Sequence, residues 1–534
     1  MIIKVMTEKT VQEIQCDRGE SLLSAMKRQD IYVPAYCGGR GTCKKCGVQV
    51  MDGELPVTDE DALAFSADAL KAGMRLSCKA YPEQDCTVRL CTDDESAFEI
   101  LSGGGEEISC AENGAAPEDE LLGVAVDIGT TTIAMELWGL NSRCMYAQDS
   151  RINHQRAFGA DVISRILAST SGEKAALQRS ILNDICDGLT AMAAQAGIDC
   201  ARITRIVVGA NTTMEHLLMG YNCETLGVSP FTPVNIHTIR TSLGELLGCI
   251  NSGEAAGKLP LKAPLILLPG ISTFVGADIV AGLLVCGFEQ SEKPCMLIDL
   301  GTNGEMAIGN KDRIISTSTA AGPAFEGGNI SHGIGSVRGA ICSVSMEDGK
   351  IFYDTIGNAP ALGICGTGVL DITAELVARG IVDETGLLDD DYFDDGVKIA
   401  DSPGGEPIVF TQQDVREIQL AKAAVRAGIE VLMRRFGVGC EDIDTVYLAG
   451  GFGFKIDTDK AMAIGLLPEG FRGKIRVAGN TSLQGARACL FDEGQLSAAE
   501  MLGACAGEIS LGGDAFFNQC YMDAMCFENE DIIF

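Results

Sequence analysis

The chain has 534 residues, with 41 Lys and Arg against 74 Asp and Glu and a formal net charge of −33. That field opposes a nucleic-acid backbone or an anionic bilayer, so both are excluded as partners. The length fits about three or four domains, and 64 glycines, well above the usual ~7%, hint at turns that bring backbone close to a ligand.

Residues 1–15 carry Lys4, Glu8, Lys9 and Glu13, which leaves no apolar leader core. The longest uncharged apolar stretch, residues 263–277, contains Pro269 and Gly270 and stops at Asp278; it is too short to span a bilayer. A cytoplasmic, reducing location is therefore expected, with most of the 22 cysteines acting as small apolar residues.

Two β-like runs, residues 2–6 and 10–15, precede a short helix over 21–29 with Leu22, Leu23 and Met26 on one face and Ser21 as its cap. After a cysteine-rich loop come a strand over 47–51, a turn at Asp52-Gly53 and a helix over 59–72. This order is that of an α+β β-grasp domain over residues 1–91. Residues 92–120 hold ten acidic side chains, no Lys or Arg, and three consecutive glycines, the composition of a flexible acidic linker.

In the loop, Cys37-Gly-Gly-Arg-Gly-Thr-Cys43-Lys-Lys-Cys46 is followed by Cys78 at a distance. Closely spaced glycines let backbone wrap an inorganic cluster, and four thiolates satisfy two irons. Structural zinc also uses four cysteines, but it favours two short C-x2-C arms, and only Cys43 and Cys46 form one. The five-residue first gap resembles the adrenodoxin-like branch of [2Fe–2S] ferredoxins.

The remaining block, residues 121–534, is mixed α/β with helices expected over 157–169, 173–196 and 413–436. Two of its strand-turn segments resemble each other: Asp127-Ile-Gly129-Thr130-Thr131-Thr132 and Asp299-Leu-Gly301-Thr302-Asn303-Gly304-Glu305. A strand that delivers Asp and then Gly-Thr into a second strand offers amides, a hydroxyl and a carboxylate to a phosphate and its metal. Its repetition predicts a duplicated domain, about 121–290 and 291–534, with a cleft between the halves. No Walker A sequence competes, because the Gly-Lys pairs at Lys258, Lys350 and Lys474 are followed by Leu or Ile. Gly333-Ile-Gly335-Ser-Val-Arg338 lacks the third glycine of a dinucleotide fingerprint.

These segments resemble the ASKHA superfamily of acetokinases, hexokinases, heat-shock chaperones and actins. In that resemblance the two turns match the first and second phosphate motifs, and Leu448-Ala-Gly450-Gly451-Phe-Gly453 matches the adenosine motif. A cluster module, a linker and an ASKHA block together resemble the reductive activators of corrinoid proteins. Residues 153–165, 209–214, 321–329 and 479–485 add to that likeness.

The resemblance implies an ATP-hydrolysing activase that passes one electron from a [2Fe–2S] cluster on Cys37, Cys43, Cys46 and Cys78 to a cob(II)amide protein, regenerating cob(I)amide. Asp127 and Asp299 would hold Mg²⁺, and Glu305 or Glu326 would orient water. Gly129 to Thr132 and Gly301 to Gly304 would bind phosphates, while Gly366, Gly368, Gly450 and Gly451 would line the nucleotide. With no flavin site evident, an upstream low-potential protein supplies the electron; a homodimer is left open. The competing readings are an activator of 2-hydroxyacyl-CoA dehydratases, which would carry a [4Fe–4S] cluster between subunits, and a redox-gated ATP-binding regulator.

Overall fold

Alternation along the first strand sets the N-terminal sheet: β1 (Ile2–Met6) buries Ile3 and Val5 and leaves Ile2 and Lys4 exposed. It pairs antiparallel with β2 (Val11–Gln15) and parallel with β5 (Cys86–Leu90), while β5 continues antiparallel to β3 (Gly47–Asp52) and β3 to β4 (Met74–Leu76). The helix Leu22–Arg28 covers this sheet with Leu22, Leu23 and Met26, and Ser21 caps it by accepting from the Ser24 amide. The helix expected over 59–72 is two short pieces, Asp59–Ala64 and Ala67–Lys71. Phe65 is extended, and Ser66 accepts from the Ala69 amide, which restarts the helix with its own cap. The computed structural model describes residues 1–7, 10–35, 37–91, 116–248, 259–451 and 456–527.

Most of the expected linker, residues 92–115, lies outside the described residues. Its last five residues are held: Ala116 is buried, and Arg202 donates to the carbonyls of Ala116 and Pro117.

The large block contains the same sheet twice. In the first half, β6 (Leu122–Ile128), β7 (Thr132–Gly139) and β8 (Met145–Ile152) form an antiparallel meander, and β9 (Ile203–Ala210) and β11 (Pro264–Leu267) extend it in parallel, with β10 (Ile239–Ser242) at the edge. In the second half, β12 (Cys295–Leu300), β13 (Gly304–Asn310) and β14 (Arg313–Thr319) repeat the meander. There β20 (Thr445–Ala449) and β21 (Ile475–Gly479) take the parallel positions. Smaller ladders, β15 (Ala340–Glu347) with β16 (Lys350–Thr355) and β17 (Gly363–Ile364), and β18 (Val397–Asp401) with β19 (Pro407–Phe410), decorate the second half. A short β22 (Gly507–Glu508) closes its edge beside β14. The fold is therefore a β-grasp ferredoxin-like domain followed by a duplicated α/β ASKHA domain.

Two helices join the halves. Ala277–Val285 leaves the first half, and Thr481–Phe491, which belongs by sequence to the second, packs on β6 and β9 of the first. They cross where a Cβ on Gly485 would come within 2.4 Å of the Ala281 Cβ, so the crossing tolerates glycine alone. A shared apolar core, including Val207, Val280, Leu283, Leu297 and Leu483, runs through this layer. The helix expected over 157–169 spans only Val162–Ala168: Asp161 caps it, and Gly159 lies against Ser164, where a side chain would clash.

The N-terminal domain rests on the first half. Arg179 bonds Asp30 at 2.9 Å, the Tyr32 ring lies 5.6 Å from His154 and 6.1 Å from Phe158, and Lys27 stands 4.6 Å over the Phe158 ring. Among the described residues no helix is long and apolar enough to cross a membrane.

Candidate functional site

Strand register assembles half of the cysteine site. Gly47 pairs with Leu76 across β3 and β4, and the Ser77 amide donates to the Cys46 carbonyl at 2.8 Å, which sets Cys46 beside Cys78. The other two cysteines sit on a loop in which Gly38, Gly39 and Gly41 all have positive φ, from 63° to 90°. Only glycine adopts such a run without strain, and it curls the loop so that Cys37 faces Cys43.

The thiols influence one another's ionisation in two pairs, Cys37 with Cys43 and Cys46 with Cys78. Burial disfavours the Cys37 thiolate, but hydrogen bonds from Cys43 and Thr42 prevail and bring it down to about 6. The bond from Cys78 brings Cys46 to about 6, and the same bond, with burial, pushes Cys78 up. Among the described residues no three His, Cys, Asp or Glu side chains converge on a point for a single ion. Two pairs of thiols suit two irons, each taking two sulfurs, better than one tetrahedral zinc.

The second site lies where the two phosphate-type turns face each other. Asp127 is the penultimate residue of β6, and Asp299 holds the same place in β12. A bond from the glycine amide closes each turn, but at different reach: Gly129 donates to the Thr132 carbonyl, three residues on, and Gly301 to the Asn303 carbonyl, two residues on. Glu326 joins them. Its carboxylate accepts from Thr131 Oγ1 at 2.6 Å and from Thr302 Oγ1 at 2.9 Å. Asn480, the cap of Thr481–Phe491, donates to Asp127 Oδ2 at 2.8 Å.

Segment 153–165 grips the first turn from behind. The amide of Asn153 donates to the Thr131 carbonyl and its Nδ2 to the Gly129 carbonyl, both at 2.9 Å, while Arg165 donates to the Thr130 carbonyl. Asn211 donates to Thr130 Oγ1 at 3.1 Å. Arg165 is fully buried, and burial lowers it to about 9.

Acidic groups crowd the cleft beyond those expected. Asp278, in the first turn of Ala277–Val285, is raised by burial and by Asp127 to about 7, although the Ile279 amide favours its anion. Burial, then Asp278, Asp127 and Glu326, raise Asp299 to about 8. Glu305, which pairs with Asp299 across β12 and β13, is raised well above the usual carboxylate range by burial and both aspartates. Glu215 is buried, is raised well above that range by burial and Asp278, and has an unpartnered Oε1. Like charges held this close favour protonation or a cation. A magnesium ion, which keeps several waters and takes one or two carboxylates, fits such a set. No sequence motif marks Asp278 or Glu215 as part of the cleft. The one signal was that each is a lone carboxylate in an otherwise apolar helix run.

Gly450 reaches the same cluster: its φ is +91°, and a Cβ there would lie 2.6 Å from Asp299 Oδ1 and 2.7 Å from the Leu300 carbonyl. Gly451 has open space beside it, and Phe452 and Gly453 of the adenosine-type motif lie outside the described residues. Gly366 and Gly368 open the helix Gly366–Ala378, which packs on the turn carrying Glu326. Gly368 presses on β15, where a Cβ would meet the Ile341 carbonyl at 2.2 Å. Close helix-to-strand packing is what demands glycine there.

Comparison with known proteins extends over most of the chain. Residues 6–83 match the 2Fe-2S iron-sulfur cluster binding domain, 122–291 the RACo middle region, and 293–534 the C-terminal domain of RACo, the ASKHA domain. The corrinoid activation enzyme RamQ of Eubacterium limosum is 30% identical, covering 91% of this chain and 92% of its own. The [Co(II) methylated amine-specific corrinoid protein] reductase of Methanosarcina barkeri is 28% identical over 70% of this chain and 71% of its own. A solved reductive activator for corrinoid, iron-sulfur protein superposes with a TM-score of 0.70 over 98% of each chain at 26% identity.

Proposed function

The chain belongs to the corrinoid-activator family that joins a [2Fe–2S] domain to an ASKHA domain, and from that premise we propose that it is an ATP-dependent reductive activase for a cob(II)amide protein. One observation carries the reading: a single chain combines two thiol pairs suited to two irons with a cleft whose facing aspartates sit at matching ends of duplicated sheets.

When bound to Cys37, Cys43, Cys46 and Cys78, the cluster supplies one low-potential electron, near about −400 mV for its type. Moving that electron uphill by about 200 mV costs roughly 5 kcal/mol, and the cleft is where that energy enters. Thr130, Thr131 and Thr132 with Thr302, Asn303 and Gly304 present donors to the phosphates of ATP. Asp127 and Asp299 would hold its Mg²⁺ directly or through water, and Gly450 leaves room for the nucleotide against the strand end. Glu326, which accepts from both turns, or Glu305 would orient the attacking water. Nucleotide helps only by favouring one arrangement of the halves over another. The electron itself comes from a separate low-potential donor protein.

Anaerobic mixing of the purified protein, a chemical reductant and a cob(II)amide protein tests the reading, with cob(I)amide followed by absorbance. Formation that needs Mg-ATP supports it, and formation at the same rate without ATP refutes it. Gly450→Ala is expected to weaken Mg-ATP binding about tenfold, the equivalent of 1–2 kcal/mol of strain at a positive-φ position; titration calorimetry reads the change.

A further inference from the structure

We propose that the seat of the cluster domain is mechanically tied to the first phosphate turn, so that nucleotide phosphate and a docked cluster domain oppose each other. The proposal rests on the ATP-binding reading above and concerns what that binding moves.

Segment 153–165 has two faces. On one, Asn153 and Arg165 hold the carbonyls of Gly129, Thr130 and Thr131, three consecutive residues of the turn. Both side chains are fully buried, so neither can shift without the turn. On the other face, His154 and Phe158 form the aromatic floor under Tyr32 and Lys27. The Phe158 carbonyl also abuts the cluster loop, 3.2 Å from where a Cβ on Gly38 would be. Asn153, in the grip on the phosphate turn, therefore stands next to His154 and five positions before Phe158 in the floor under the cluster domain.

The sign follows from Glu326. It holds the hydroxyls of Thr131 and Thr302 together, and a phosphate placed between the turns competes for those hydroxyls and repels the carboxylate. The first turn then moves, Asn153 moves with it, and the floor under Tyr32 is disturbed. Arg179 and Asp30, at the rim of the seat, add an ion pair that can be reversed without touching either site. Asn153 and Arg165 are positioning residues in this scheme.

Hydrogen exchange of the full chain with its cluster, with and without Mg²⁺ and a non-hydrolysable ATP analogue, reads the seat directly. Bound analogue is expected to raise exchange at residues 27–32 and 154–158. Linkage makes the effect reciprocal: Asp30→Arg and Arg179→Asp, each of which loosens the seat, are expected to bind the analogue at least threefold more tightly. The double exchange Asp30→Arg with Arg179→Asp should return part of the way to the wild-type affinity, because the Tyr32 hydroxyl, which donates to Asp30 at 3.0 Å, loses its acceptor, and Tyr32→Ala should follow the single variants. An unchanged cluster absorbance spectrum checks that each variant is folded. Analogue that binds wild type yet leaves the seat and all four affinities unchanged overturns the coupling alone, as does protection gained instead of lost. Failure of the analogue to bind wild type overturns the ATP reading as well.

Discussion

Replacing Cys46 with Ser is expected to remove the [2Fe–2S] absorbance and EPR signature and bring cob(II)amide reduction to background, while Mg-ATP affinity stays within about twofold of wild type. The separation follows from where Cys46 sits. It is buried just before β3, its carbonyl is held by the Ser77 amide, and Cys78 favours its thiolate. Serine fits that space, so the sheet should survive, but a hydroxyl is a poor stand-in for a thiolate on iron. None of these contacts involves the nucleotide cleft. Iron content, spectrum and ATP titration on one sample decide the matter. Retained reduction without the cluster would remove the four cysteines from the mechanism, and a joint loss of ATP binding would mean that the two sites are not separable.

Asp299→Asn is expected to do the reverse, leaving the cluster spectrum intact and abolishing ATP-dependent reduction. Asn keeps the shape but removes a charge from a set in which Asp278 and Asp299 are already raised to about 7 and about 8.

That same elevation predicts a pH dependence. The folded cleft holds protons on these groups at pH values where the unfolded carboxyls, near pH 4, have lost theirs. Stability of the metal-free protein should therefore fall as pH rises from about 4 to about 8 and level off above that. In Asp299→Asn the fall should be shallower, with a Tm about 1 °C above wild type at pH 8, as about 1 kcal/mol would give in a domain of this size. At pH 5 the two should nearly coincide. Mg²⁺ with nucleotide should raise the wild-type Tm more at pH 8 than at pH 5, because the cation competes with protons for the same oxygens. A wild-type Tm that rises through this range without Mg²⁺ would contradict the crowding of charge inferred for the cleft.

Much of this was legible before any coordinates. Local spacing encodes local geometry, so Cys37, Cys43 and Cys46 announced a wrapped loop, and the two Asp-x-Gly-Thr turns announced facing hairpins. The break at Phe65 and Ser66 within an expected helix was harder to see, because apolar periodicity continues across it while a serine cap competes. Asp278 and Glu215 escaped notice for a different reason. A lone acid in an apolar helix has no local partner pattern, and its meaning comes from Asp127 and Asp299 on other strands.

By itself the sequence determined the two modules, the cysteine-rich loop and the duplicated strand-turn units, since each depends on composition or on residues a few positions apart. Tertiary structure alone decided which thiols pair, through the register of β3 on β4, and that Glu326 bridges turns about 170 residues apart in the chain. It also decided that Thr481–Phe491 packs back on the first half, and that the cluster domain rests on the segment gripping the first phosphate turn. The reason is common to all four: each is a contact between elements distant in sequence, fixed by packing and register rather than by any neighbour along the chain.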